Sequence, residues 1–308
     1  MFGADHKIQH DKVFKNNLYV LYIIIAAISW GCISLVSRPL GNLGLSAMQV
    51  SVVRLFCTTI FMALGFFKLD KNFLKLDTRM LPLFMLAGAN YLGLTFFYLS
   101  SIRENNSASV AAMLLYTCPI WLIVISRMVF KEKITLGKVI ALVGTMGGCA
   151  MLLLTQEISI SMKGLIFGVA SGVCQALYSV FAKLLSKGAS VETNTFYTFL
   201  FATVFSILFI SPIEIKNVIT AEPVKCVLLF VVLVIGMTIM PYMLYTIGIS
   251  KVSIGYAGII CILEPVTSTI VGIVAFGDLI NKWGVMGIVI VIMSLVLIEF
   301  EDSQRVAA

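Results

Sequence analysis

Apolar residues in this chain come in blocks of about 20, the length at which an α-helix crosses a hydrocarbon core ~30 Å thick. Ten such blocks can be drawn: 18–37, 47–67, 80–100, 107–127, 136–155, 162–182, 193–212, 226–247, 253–277 and 283–299. Lipid offers backbone groups no hydrogen-bond partner, so only helices or closed barrels can span it. Blocks of this length select helices. Composition agrees, because 60% of the 308 residues are hydrophobic and only 12% are charged. A soluble domain of this size needs far more charge on its surface. The expected fold is an all-α membrane protein with ten transmembrane helices.

The first block is not a cleaved secretory signal, because it is too long for an h-region and follows a 17-residue polar tail. The loops are short, and no soluble domain fits between the helices. The seven cysteines lie within or at the edges of the apolar blocks and form no CxxC pair. They read as small packing residues rather than disulfides or a zinc site. His6 and His10 are the only histidines, both in the N-terminal tail. That excludes His-based catalysis and His-ligated metal from the membrane core. No cofactor is expected, and neither GxxxxGK[ST] nor GxGxxG occurs.

Basic residues report topology. With the N-terminus in the cytoplasm, fifteen Lys and Arg fall on inside segments and six on outside loops, Arg54 lying within a block. This fits the positive-inside rule with both termini cytoplasmic. The net charge of +7 is not gathered on an aromatic-rich soluble face, so nucleic acid is not an expected partner. The expected partners are the lipid bilayer and a small solute.

Residues 107–152 and 253–298 read as two copies of one passage, 146 positions apart: Pro119 falls on Pro265, Phe130 on Phe276, and Glu132 on Asp278. Five helices per half is an odd number, so the second half enters the membrane from the opposite side. Two inverted five-helix repeats around a central cavity follow. The expected layout is a tail over 1–17, a first repeat over 18–155, a second over 162–299, and a tail over 300–308. Polar stripes extend the duplication. Tyr91, Thr95 and Tyr98 share a helical face at the same spacing as Thr238, Tyr242 and Tyr245. Trp30, Ser34 and Ser37 compare with Ser171, Gln175 and Tyr178. Each stripe alone also reads as a packing seam; together they point to a shared cavity. Gly144, Gly147 and Gly148 form a small-residue face suited to helix packing or dimer contact.

Glu264 is the sharpest chemical candidate. It sits about 11 residues from the inner end of its block, roughly 17 Å deep at 1.5 Å per residue. A carboxylate there must face a cavity, find a partner or be protonated. Proton or polar-substrate binding and a fixed structural anchor are both open readings. Its repeat-mate is Cys118, so the acid breaks the internal symmetry. Arg54 is the one basic residue deep in a block, read either as a substrate contact or as a snorkelling side chain. Pro119 and Pro265 remove backbone hydrogen bonds at matching places and mark helix breaks. Asn90, Gln175, Trp30, Trp121, Tyr91, Tyr98, Tyr116, Tyr178, Tyr242, Tyr245 and Tyr256 are candidates to line a pocket. Such walls suit a small neutral, zwitterionic or aromatic solute.

These residues resemble a known family. Tyr116-Thr117-Cys118-Pro119 followed by Phe130-Lys131-Glu132-Lys133-Ile134-Thr135 is similar to the helix 4 signature of EamA-type proteins in the drug/metabolite transporter superfamily. Leu263-Glu264-Pro265-Val266 followed by Phe276-Gly277-Asp278 resembles the helix 9 signature. Ser29-Trp30-Gly31 before Ser37-Arg38, and Val53-Arg54-Leu55-Phe56, resemble its first two helices. The resemblance implies ten helices in inverted repeats, a cavity built by helices 1–4 and 6–9, and peripheral helices 5 and 10. It further implies a metabolite transporter, commonly an exporter of amino acids or other metabolites in the bacterial cytoplasmic membrane, working by alternating access. Two departures stand out. The second acid is Asp278 where the family usually has Glu, and Lys131 and Gly277 flank the two acids differently. The related nucleotide-sugar carriers use basic residues in late helices. Residues 253–277 contain none, which argues against a strongly anionic substrate.

The expected function is secondary transport of an amino acid or similar solute, with protons as the candidate coupling ion. A passive uniport facilitator of the same fold is the alternative, followed by a non-transporting sensor or scaffold. An enzyme is not expected, because only one acid and no histidine lie in the core.

Overall fold

The structure is a computed structural model that describes residues 2–69, 76–105, 108–153, 161–207 and 221–307. Lys71, Lys75 and Lys216 of the charge count, Ser107 of the first repeat copy, and the block ends at 154–155 and 208–212 lie outside the described residues. Among the described residues every regular element is helical. The helices are α1 Phe2–Gly31, α2 Ser34–Asn42, α3 Ala47–Leu69, α4 Leu81–Asn105, α5 Ala108–Leu115, α6 Cys118–Val129 and α7 Leu136–Leu153. They continue with α8 Met162–Leu185, α9 Val191–Ser206, α10 Pro223–Val234, α11 Met240–Lys251, α12 Ile254–Ile260, α13 Leu263–Phe276 and α14 Lys282–Ala307.

Six helical stretches among the described residues are long and apolar enough to cross a membrane: Asn17–Asn42, Ala47–Gly65, Thr78–Asn105, Met162–Leu185, Pro223–Lys251 and Ile254–Phe276. Cys118–Val129, Leu136–Met151 and Lys282–Ile298 are shorter apolar helices. Large apolar side chains face outward along them. Val274 is 80% exposed, Met293 67%, Val143 66% and Leu64 65%. A water-facing surface of that kind would aggregate, whereas lipid tails cover it without penalty. The protein is thus a multi-pass membrane protein.

Helix starts follow local chemistry. Ser161, Ser190 and Ser253 each cap a helix by accepting from the amide three residues on: Gly164, Thr193 and Tyr256. Asn105, at the end of α4, accepts from the Ser161 amide at 3.0 Å and so ties α4 to the start of α8.

Four of the expected blocks are interrupted. In block 18–37 the chain turns at Cys32–Ile33, where Ile33 N bonds to Trp30 O at 3.0 Å, and α2 then continues to Asn42. Gly31 sits against α13: a methyl there would lie 2.7 Å from the Glu264 carbonyl oxygen. In block 226–247 a π-helical turn, Ile235–Ile239, separates α10 from α11. Pro241 follows it and has no N–H for the carbonyl four residues back. Thr238 spans the same turn by donating to Leu233 O at 2.8 Å. In block 107–127 the turn at Tyr116–Thr117 comes just before Pro119; the equivalent turn in block 253–277 is Cys261–Ile262, just before Pro265.

The two halves are interlocked. α4 packs on α8 and α9, α1 on α11 and α13, and α7 on α14. Glu132, just beyond α6, accepts from the Ile254 amide at the start of α12 at 3.0 Å. The end of one repeat passage therefore meets the beginning of the other.

Candidate functional site

Between the halves lies a cavity of about 1050 Å³. Its wall takes Trp30 and Gly31 from α1, Ser34, Ser37 and Arg38 from α2, and Arg54 from α3. α4 adds Tyr91, Thr95 and Tyr98, the turn before α6 adds Tyr116, and the start of α6 adds Cys118 and Pro119. From the second half come Gln175 and Ser179 of α8, Tyr242 and Tyr245 of α11, Cys261 of the α12–α13 turn, and Glu264, Pro265, Ser268 and Thr269 of α13. Cys149 of α7 also reaches the wall, although the resemblance places that helix at the periphery.

The aromatic side of the cavity is a tight cluster. The Trp30 ring lies 4.9 Å from Tyr242 and 5.3 Å from Tyr245. Tyr91 and Tyr242 meet edge to face at 5.8 Å, within the range of favourable aromatic pairs. Their hydroxyls are 3.1 Å apart. Arg54 donates from one terminal nitrogen to the Tyr91 hydroxyl at 3.0 Å. Tyr245 shares a 2.7 Å hydrogen bond with Ser179.

Glu264 stands at the head of α13, beside the break. Tyr98, Tyr116, Cys118 and Cys261 are within electrostatic reach of its carboxylate. Among the described residues it has no ion-pair partner, since the four ion pairs involve Asp278, Glu104 and Glu132 only. Arg54 and Glu264 line the same cavity but do not bond to each other.

Four candidates read from the sequence lie off the cavity wall. Asn90 donates to the Cys174 carbonyl at 2.9 Å, joining α4 to α8. Tyr178 is packed behind the cavity wall, 5.4 Å from Tyr242 at 88°. Tyr256 and Trp121 also lie off the cavity wall, Tyr256 being 1% exposed. In the stripes, Ser171 donates to Gly168 O at 2.6 Å and Thr238 to Leu233 O, so both serve their own helices.

The cavity has a direction. Its wall runs on to Arg38, Asp278, Leu279 and Ile280 at one end, and includes none of Glu132, Lys138 or Lys183 at the other. Those ends are the two termini of the passage Ile254–Phe276, about 34 Å apart at 1.5 Å per residue. In the sequence Arg38 stands out only as part of the first-helix motif, and Lys183 only as a basic residue on the inner side. Their signal was available in the repeat offset, because Lys183 follows Arg38 by 145 positions.

The EamA-like transporter family matches residues 17–154 and again 162–300. This chain belongs to that family. An uncharacterized transporter of Archaeoglobus fulgidus is 27% identical over 266 residues, 86% of this chain and 90% of its own length. The uncharacterized transporter YwfM of Bacillus subtilis is 21% identical across 96% of this chain and 98% of its own length. The uncharacterized inner membrane transporter YicL of Salmonella typhimurium is 24% identical over 300 residues, 94% of this chain and 97% of its own length. One crystal structure shares the fold with a TM-score of 0.76 at 17% identity, over 93% of this chain and 98% of the other. Family membership makes the protein a transporter and its cavity the place to look for a solute.

Proposed function

We propose that this protein moves a small zwitterionic metabolite of the amino-acid class across the bacterial cytoplasmic membrane by alternating access, in the export direction. The reading has ten crossings, two inverted halves and both termini in the cytoplasm. The single observation that carries it is the cavity itself. It is lined from both halves and, besides the Arg38–Asp278 pair at its mouth, holds one acid, Glu264, and one arginine, Arg54, that do not pair with each other. A zwitterion supplies the complement of both. The start of α12 beside the end of α6 supports inverted halves.

Glu264 is the proposed proton- or amine-binding group and Arg54 the proposed positioning group for the opposite end of the solute. The breaks before Pro119 and Pro265 let backbone turn away from the cavity without an unbroken helix crossing it. Within this mechanism the halves rock about the aromatic cluster and expose the site to each side in turn.

The test is counterflow of radiolabelled amino acids in proteoliposomes. Saturable flux that rises at least tenfold with an imposed proton gradient, and loses that dependence in Glu264→Gln, is expected. Saturable flux indifferent to both would make the protein a uniport facilitator. Absence of saturable flux across the amino acids would sink the substrate class.

A further inference from the structure

Among the described residues, three polar hydrogens in the cavity wall have no acceptor. The indole Nε1 of Trp30, the hydroxyl of Ser34 and the Nε of Arg54 are buried and unmatched, and all three residues line the cavity. Trp30 is 5% exposed. Trp30 and Arg54 belong to one cluster, and Ser34 lines the same cavity. Trp30 stacks near Tyr242, whose hydroxyl meets that of Tyr91, which in turn holds the other end of the Arg54 guanidinium. Ser34 opens α2 four residues after Trp30, across the Cys32–Ile33 turn.

Trp and Arg can only donate, so their missing partner is an acceptor. Buried donors without acceptors are rare and costly, and point to something absent from the chain. A guanidinium beside two neutral donors favours a charged acceptor with two oxygens, which a carboxylate provides. We propose that Trp30, Ser34 and Arg54 form a carboxylate-binding subsite, with Glu264 facing the cationic end of the same solute. This rests on the transport reading and narrows it to solutes bearing one carboxylate.

The test is thermal shift of the detergent-purified protein with each common amino acid beside its primary amide, which keeps the amine and removes the carboxylate charge. At least one amino acid should stabilise, its amide should bind about tenfold more weakly or worse, and Ser34→Ala and Arg54→Lys should each weaken the acid by about tenfold. Ser34→Ala keeps the result readable if an Arg54 variant folds poorly. Equal binding of acid and amide, or no binding by any acid, would overturn the subsite. Saturable uptake of an amide at the rate of its acid would remove the subsite while leaving transport in place.

A separate observation concerns the two ends of the cavity. Arg38 pairs with Asp278 at 2.6 Å and lies 4.4 Å over the Phe276 ring. Lys183 pairs with Glu132 at 3.4 Å and lies 5.4 Å from the Phe130 ring. Each cation comes from one half, and its acid and ring from the other. All three residues of one set fall 145 or 146 positions from those of the second. The sets differ in burial: side chains of the Glu132 pair are 14% and 17% exposed, those of the Asp278 pair 45% and 46%. Glu132 also accepts from the Ile254 amide, and Lys183 donates to Val252 O at 2.7 Å. The cavity opens past the exposed set and stops short of the buried one.

We infer that Glu132 and Lys183 are the latch holding the cavity shut at their end, and that they must part for the site to face it. Native Cys118 and Cys261 line the cavity and report its accessibility. Right-side-out and inside-out vesicles are treated with a membrane-impermeant maleimide, and labelling of each cysteine is read by peptide mass spectrometry. In the wild type both should label from the Arg38 side only. Glu132→Gln should raise labelling from the Lys183 side severalfold and lower it from the other. Unchanged sidedness in Glu132→Gln and in Lys183→Gln would overturn the latch, whatever either does to melting temperature.

Discussion

Tyr91 and Tyr242 join the two halves hydroxyl to hydroxyl at 3.1 Å across the cavity wall, although 151 positions separate them in the chain. Both rings are buried, at 1% and 8% exposure. The bond therefore sits in low dielectric, where losing one partner leaves the other unmatched. Tyr242→Phe should cost about 1 kcal/mol of stability. Tyr242→Ala should cost about 3–5 kcal/mol, because it also empties the space that Trp30, Tyr178 and Phe199 pack against. Thermal unfolding in one detergent distinguishes the two. Equal losses would mean that the hydroxyl, not the ring, holds the halves.

Lys131 and Gly277 fall 146 positions apart and adopt the same left-handed backbone, with φ of 56° and 69°. After each, the amide of the acid reaches back six residues: Glu132 to Ser126 O at 3.3 Å and Asp278 to Gly272 O at 3.1 Å. The repeat thus preserves a turn and not the residue suited to it. Glycine meets no penalty there, whereas a Cβ costs about 1 kcal/mol. Lys131→Gly should raise stability by up to that amount and Gly277→Ala should lower it similarly. Melting temperatures of the two variants moving in the same direction would refute this.

Gly147 and Gly148 are neighbours on α7 with opposite surroundings. A methyl on Gly148 would stand 2.7 Å from the Gly287 carbonyl oxygen of α14, whereas nothing lies within 4 Å of one on Gly147. Backbone cannot yield as a flexible side chain can, so Gly148→Val should cost about 1–3 kcal/mol by forcing α7 from α14. Gly147→Ala should be neutral or stabilising by up to about 1 kcal/mol, since alanine favours helix. Chemical denaturation of both variants decides the point. Equal loss at both would instead indicate that Gly147 faces a second copy of the chain.

Much of this organisation was legible in the sequence because lipid simplifies the problem. Block length gives the helices, and the recurrence of Pro119 at Pro265 exposes the duplication. Trp30, Arg54, Tyr242 and Glu264 were readable as cavity residues because polar groups inside apolar blocks need a destination. Asn90 and Tyr178 looked the same and are not on the wall. Whether a polar side chain meets a cavity or a neighbouring carbonyl depends on helix rotation, which the pattern of one helix does not fix. The break at Cys32–Ile33 has no proline before it, and the close approach of Gly31 to α13 beside it is not visible in one helix's pattern. The π turn had one, in Pro241. The paired ions were hidden in loops, where Arg38 and Lys183 count only as topology until their partners are known.

The Arg38–Asp278 pair makes a pH prediction at the end of the molecule where the cavity opens. The Arg38 guanidinium, bonded to both carboxylate oxygens, holds Asp278 below the usual aspartate range. A carboxylate with a lower folded-state pKa contributes stability that is fully present above the unfolded value of about 3.9. That contribution fades as pH falls through the depressed folded value. Both side chains are nearly half exposed, so the effect is small and salt weakens it. Melting temperature should therefore drop more steeply on acidification below about pH 4 in the wild type than in Asp278→Asn. The difference between the two proteins should shrink at 1 M salt, where the screening length is about 3 Å. A wild-type protein whose acid limb matches that of Asp278→Asn at low salt would show that the pair does not bear on folding at all. Its place would then be only to shape the mouth of the cavity.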